Sequence, residues 1–392
     1  MNNPVTRARW LVLGLVPAVF GVLSLPAASP PPDPALAADC AALRAVGPEG
    51  LGNAAATAAW NRLAARDAAV LPALLAAMNG AGERANNYFL AAASTIADRT
   101  LSSGGTLPLA DVGAFLLDST HEPRPRRLAY ELVLRVDPGL ASELRGGFID
   151  DPAPELRREA VQHAIDTAAA ALAGGHHPTA TVLYLQALQF AREADQIQSV
   201  VAPLRNLGHS VDLVRQLGFL TRWHIIGPFD NTGGAGYERV LPPETEWNPR
   251  AEYPGLEGPV RWREFVSTNA FGKIDFNRAL APLKEVAGYA FTTFHGDADR
   301  PAEVRIGSKN GWKVWFNGEF LFGRDEYHRA AEIDQYRLPV RLRSGPNTIL
   351  VKLTQNEMVE DWTVEWEFQL RVTDPAGRVL RSEPPAILTR HE

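Results

Sequence analysis

Six residues in the last third of the chain have the types that hold a neutral, polyhydroxylated ring: Trp312, Asp325, Tyr327, His328, Asn356 and Trp362. Aromatic faces meet the apolar C–H side of such a ring, and carboxylate, imidazole and amide groups pair with its hydroxyls. The competing reading puts the tryptophans in a core and has the polar residues close their own turns. Asp325 and Asp334, with nearby backbone carbonyls, also offer the hard oxygen donors of a structural calcium site, and no other cofactor is indicated. Glu357, Glu360 and Asp361 are dense in acid, but nothing in their spacing pairs two carboxyls around one glycosidic bond. They read as a solvated loop. The chain has no G-x-S-x-G elbow, no H-E-x-x-H pair and no phosphate loop. Gly233-Gly234-Ala235-Gly236 reads as a turn, and His176-His177 as a solvated start before Pro178.

Strands must position these residues. Val314-Trp315-Phe316 and Phe320-Leu321-Phe322 flank Asn317-Gly318, the dipeptide of a type I′ hairpin turn, which needs φ > 0 at both central positions. Trp312, Val314 and Phe316 alternate with Lys313 and Trp315, so one set faces a core and the other solvent or a second layer. Strands are predicted over 288–294, 303–306, 312–316, 319–322, 348–353 and 363–372. Before them, Trp223 to Asn231 predicts a short strand stopped by Gly227-Pro228. Pro242, Pro243, Pro249 and Pro254 then predict extended chain lying on the surface of the β domain.

The order strand, Asn-Gly-Glu, strand, polar loop, acidic residue, then Leu342-Arg343-Ser344-Gly345-Pro346-Asn347-Thr348-Ile349-Leu350-Val351-Lys352 resembles the sugar-binding jelly roll of family-2 glycoside hydrolases. It is more loosely similar to galactose-binding-type sandwiches. The resemblance covers residues 286–372 and implies a β-sandwich with a binding or structural role. Those enzymes carry their catalytic carboxylates on a separate barrel of about 250 residues or more, for which this chain has no room.

Residues 40–218 are rich in Ala and Leu with helical period. The clearest helix is predicted to start at Asp151-Pro152, with Asp151 as its cap. Leu156, Ala160, Val161, Ala164, Ile165, Ala168 and Leu172 share one face, Arg157, Arg158, Gln162, His163 and Asp166 the other, and Gly174-Gly175 ends it. Arg127 and Arg158, each after an acidic, proline-containing turn, stand 31 residues apart. That rhythm resembles HEAT-like repeats, while residues 179–207 are closer to a tetratricopeptide hairpin. An α-solenoid of this kind implies a protein-binding surface, and Arg126, Arg127, Arg157 and Arg158 are the residues expected on it.

The 392 residues allow two to three domains, and 46% apolar content supplies an ample core. A formal net charge of −6 without a basic run argues against nucleic acid as a partner. A single cysteine, Cys40, excludes an internal disulfide. Arg7 and Arg9, the apolar run Trp10 to Leu25, and Ala35-Leu36-Ala37 read as an export signal with its cleavage site; uncleaved, the segment would be a membrane anchor. The whole resembles uncharacterised exported bacterial proteins with a HEAT-like front half.

These readings predict an α+β multidomain chain: a signal peptide over 1–37, an all-α HEAT/TPR-like domain over 38–218, a Pro/Gly-rich connector over 219–285, and a jelly-roll, galactose-binding-like β-sandwich over 286–392. The expected function is non-catalytic binding in the periplasm or outside the cell. The sandwich would take a glycan or envelope component, and the helices a protein. The alternatives are a glycan-active hydrolase or lyase with its site between the domains, and a purely structural scaffold.

Overall fold

The computed structural model describes residues 33–382. The predicted export signal therefore lies largely outside the described residues. Ala35, Leu36 and Ala37 form the first turn of α1 (Pro34–Arg44), which Asp33 caps. Further helices follow: α2 (Asn53–Ala64), α3 (Leu71–Ala77), α4 (Glu83–Ser102), α5 (Leu109–Leu117), α6 (Pro123–Val136), α7 (Pro138–Arg145), α8 (Pro154–Ala173), α9 (His177–Phe190), α10 (Ala194–Asn206) and the short α11 (Leu213–Leu217). No helix among the described residues is long and apolar enough to cross a membrane.

Proline opens several of these helices, at a position whose N–H would have no partner anyway. The helix expected from Asp151 begins three residues later, at Pro154, because Asp151 has another task. Its carboxylate accepts from both terminal guanidinium nitrogens of Arg126, each at 2.7 Å, and also from the N–H of Ala153. Arg126 is 1% exposed and Arg157 fully buried, so neither belongs to a protein-binding surface. Pro123-x-x-Arg126-Arg127-x-Ala129 and Pro154-x-x-Arg157-Arg158-x-Ala160 are one motif used twice. In each copy the first arginine turns inward and the second bridges to the helix after next, Arg127 on α6 to Glu159 on α8 and Arg158 on α8 to Asp195 on α10.

The chain then becomes antiparallel sheet. A six-stranded sheet has the order β4 (Arg263–Val266), β1 (Arg222–Asp230), β6 (Val286–Gly296), β11 (Gly345–Gln355), β8 (Gly311–Phe316), β9 (Glu319–Arg324). A four-stranded sheet has the order β10 (Tyr336–Leu342), β7 (Arg300–Ser308), β12 (Glu367–Thr373), β5 (Ile274–Asp275), and β2 (Glu252–Pro254) pairs with β3 (Pro259–Arg261). Inward side chains of both larger sheets, among them Trp223, Trp312, Val314, Val351, Ile306 and Leu370, form one core.

Two expectations about the stretch before the sheets change. Gly227-Pro228 does not stop β1: the strand bulges between Ile226 and Phe229 and runs on to Asp230. It lies inside the sheet, between β4 and β6, because a bulge accommodates the proline that a regular ladder would reject. Pro242-Pro243 starts the helical turn Pro242–Thr245 instead of forbidding one. The rest of residues 231–262 does lie against the sheet. It covers the face opposite the shared core and packs Tyr253 and Trp262 against Phe229, Tyr289, Phe291 and Trp315. The middle of the sheet is dry on both faces, and β11 is buried from Ile349 to Gln355, Lys352 included.

The Asn317-Gly318 turn is as expected, with φ of 51° and 82°. Replacing Gly318 by valine puts a β-branched residue at positive φ and is expected to cost about 1–3 kcal/mol. Urea melting measures this; a parental midpoint would remove the turn from the account.

Candidate binding surface at the loop end of the sheets

Antiparallel pairing fixes where the predicted residues meet. Val286 pairs with both Asp230 and Gln355, Gly311 with Thr354, and Trp312 with Arg324. The loops after β1, β9 and β11 therefore leave the six-stranded sheet at one end. Tyr327, His328, Asn356 and Trp362 stand there together, and Asp325 beside them.

Trp362 is 58% exposed and meets the His328 ring edge-on, with centroids 5.3 Å apart. His328 Nε2 lies 2.8 Å from Asn356 Oδ1, which also accepts the N–H of Met358. The Met358 N–H identifies that atom as the amide oxygen, so His328 donates to it from Nε2 and its Nδ1 is left to meet a ligand. His328 holds φ of 60°, and Glu285, whose N–H bonds Asn356 O, holds φ of 53°. Positive φ in residues of these types is uncommon, and such outliers gather at functional sites. Tyr327 OH shares a 2.7 Å hydrogen bond with Thr354 Oγ1, and burial pushes the phenol up from its ordinary value. Asp325 is also pushed up, by loss of solvent and then by the charge of Glu238.

Sequence reasoning missed the frame of this surface. Thr363, fully buried, bonds through its hydroxyl to Met358 O and Glu360 O. Its own carbonyl accepts from Lys284 Nζ at 2.8 Å and Gln355 Nε2 at 3.1 Å. The turn Asp361–Thr363 that presents Trp362 is thereby pinned from below. A buried threonine beside an exposed tryptophan leaves no pattern that a window of residues would detect.

Two expected members do not belong. Trp312 is 1% exposed and sits in the core against Phe322 and Tyr336, because its position on β8 points inward. Asp334 is held by arginines instead of calcium: Arg371 Nε at 2.7 Å, Arg371 Nη2 at 2.5 Å and Arg305 Nη1 at 2.8 Å. Two guanidiniums occupy the oxygens a cation would need, and Asp325 lies with Tyr237 and Glu238 instead. Among the described residues, no three His, Cys, Asp or Glu side chains gather where they could hold a metal. Glu357, Glu360 and Asp361 stay exposed.

No protein-family model matches this chain, and no curated protein matches it.

Asp334 belongs to the junction between the halves. Arg371, fully buried, also donates to Leu217 O at 3.0 Å and Arg192 O at 3.2 Å. Arg157 and Arg192 both reach Ala376 O, and Arg378 pairs with Asp150. Gly218 ends α11 at φ of 74° with Val379 packed where a Cβ would be, so only glycine serves there. The four-stranded sheet is thus fixed to the helices by buried charge, and the six-stranded sheet that carries the loop-end surface shares its core.

Proposed function

We propose that the two larger sheets form a jelly-roll, galactose-binding-like β-sandwich whose loop end binds a glycan without catalysis, in an exported protein. The observation that carries this reading is the exposed Trp362 indole beside the His328–Asn356 pair. The indole offers a face for the C–H side of a sugar ring, and His328 Nδ1 and the Tyr327 hydroxyl offer partners for its hydroxyls. The conformational outliers at His328 and Glu285 support a surface held in shape for contact. Export follows the N-terminal segment and suits a partner in the envelope. Protein contact through the helices is favoured at α9, where Val182 and Leu185 stand exposed on one side, and not at the arginine ladder.

Calorimetric titration of the full chain with β-linked glucose, galactose and N-acetylglucosamine oligomers tests the reading. A shallow surface of this kind gives dissociation constants of about 10 μM to 1 mM. Trp362→Ala is expected to weaken binding by about tenfold, the worth of one aromatic contact, with Trp362→Phe close to the parent. Affinity unaffected by Trp362→Ala would place the ligand elsewhere.

A further inference from the structure

A second concavity, of about 560 Å³, lies where α10 faces the β9–β10 loop and the four-stranded sheet. Its walls include Asp195 on the helical side and Phe271, Lys273, Glu332, Arg337 and Gln369 on the other. None of these is among the loop-end residues described above.

The charges in it nearly cancel. Arg158 is held by Asp195, Lys273 by Glu367, and Glu193 by Arg157 through one oxygen only. Arg337 and Glu332, one of each sign, have no ion-pair partner among the described residues. Two of the lining residues each carry a buried acceptor that receives no hydrogen bond: Gln369 Oε1 and Glu193 Oε2. Gln369 is 93% buried, and orphaned acceptors of this kind are rare in a finished interior. At the rim, Phe271 exposes 38% of its surface.

We propose that this cleft is a second ligand site, for a neutral, polyhydroxylated ring such as a sugar residue. A cationic ligand meets Arg158, Lys273 and Arg337, and an anionic one meets Glu193, Asp195 and Glu332, so net charge of either sign is disfavoured. A hydroxylated ring supplies the missing donors once the Gln369 amide and the Glu193 carboxylate, whose unpartnered oxygens are closed off in the empty cleft, turn to face it. It accepts from the Arg337 guanidinium and lays its C–H face on Phe271. Because the cleft has one wall from each half, its ligand binds only the docked arrangement and stabilises it.

The test uses the full chain and the methyl glycosides of glucose, galactose, mannose and N-acetylglucosamine with their β-linked tetramers. Phe271 and Arg337 are exposed, so Phe271→Ala and Arg337→Ala keep the fold. Each is expected to weaken binding by about five- to tenfold, while Trp362→Ala leaves this site unchanged. Gln369→Leu removes an orphaned acceptor, so it should hold or raise the melting temperature and still lower affinity. No heat from any of these sugars at about 10 mM overturns the proposal, as does affinity unchanged in Phe271→Ala, Arg337→Ala and Gln369→Leu. Loss of binding in Trp362→Ala alone overturns it too, and leaves the loop-end reading standing.

Discussion

Asp334→Ala is expected to destabilise the protein by about 3–5 kcal/mol, the cost of leaving the buried Arg371 cation without its counter-charge, while Arg305 keeps Glu303. Arg371 is fully buried and Arg305 is 4% exposed, so neither reaches water when the carboxylate goes. Alanine at the 60° φ of this position adds a further penalty of about 1 kcal/mol. Asp334→Asn tolerates that φ and keeps one acceptor, so it should fall between parent and alanine. Urea melting followed by far-UV dichroism measures all three, and equal midpoints would show that the junction is not held this way. Acid provides an independent check. Burial alone would raise the Asp334 carboxyl, but Arg371 and Arg305 outweigh it and hold it below the ordinary carboxylate range. At Asp150 burial likewise pushes up and is outweighed by Arg378 and Arg192. Carboxyls lowered on folding contribute fully above their unfolded pKa of about 3.9 and lose that contribution as pH falls through the folded value. The junction should therefore hold to about pH 4 and loosen below it, and Asp334→Ala should lack the Asp334 share of that acid dependence.

Lys352→Met is expected to cost a similar amount, about 3–5 kcal/mol, at the covered face of the six-stranded sheet. Lys352 is fully buried under the 231–262 cover and donates to Tyr237 O at 3.0 Å, Arg239 O at 2.7 Å and Glu244 Oε1 at 2.8 Å. Tyr289 OH closes the network on Glu244, and burial with the adjacent carboxylate pushes the phenol far above its ordinary range. Without the lysine, two carbonyls and a carboxylate are stranded. The cover should loosen before the sheet, moving Trp247, which stacks on Phe291 at 3.5 Å, and Trp262 into water. A red shift of tryptophan emission at urea concentrations too low to melt the sheet reports this. Adding Glu244→Gln to Lys352→Met should recover part of the loss, since it removes the stranded charge. If Lys352→Met alone melts with the parent, the network does not hold the cover.

Features set by local chemistry were readable from the sequence. Asn317-Gly318 announced its turn because few dipeptides adopt positive φ twice. The apolar face of α8 was readable from Leu156 to Ala168 because helical period survives burial on one side. Features set by contacts distant in sequence were not. Arg157 reads as the polar side of an amphipathic helix, yet it points inward, because its partners Asp151 and Glu193 come from the turn before α8 and the start of α10. Lys352 reads as the solvent side of β11 until the cover is known to lie on it. Trp312 had the right type for a binding face, but the pleat gave it to the core. At the loop end, residue type and strand ends sufficed to gather Tyr327, His328, Asn356 and Trp362. The pinning of Trp362 through Thr363 needed coordinates.

The clamp between the halves has a consequence for the order in which the chain is made. Arg371, Ala376 and Arg378 bond to groups 154 to 228 residues earlier, all of them in or beside helices synthesised first. Until that late segment emerges, Arg157 and Arg192 lack one of their acceptors, the Ala376 carbonyl, and the carbonyls of Leu217 and Arg192 lack the Arg371 donor. The helical half must therefore wait, with its polar junction still wet, for a segment made after nearly every strand. Contacts spanning such distances close slowly and leave the nascent chain exposed to mispairing. A ribosome stalled before residue 371 should hold a chain whose helices exchange amide protons faster near α10 than in the released protein.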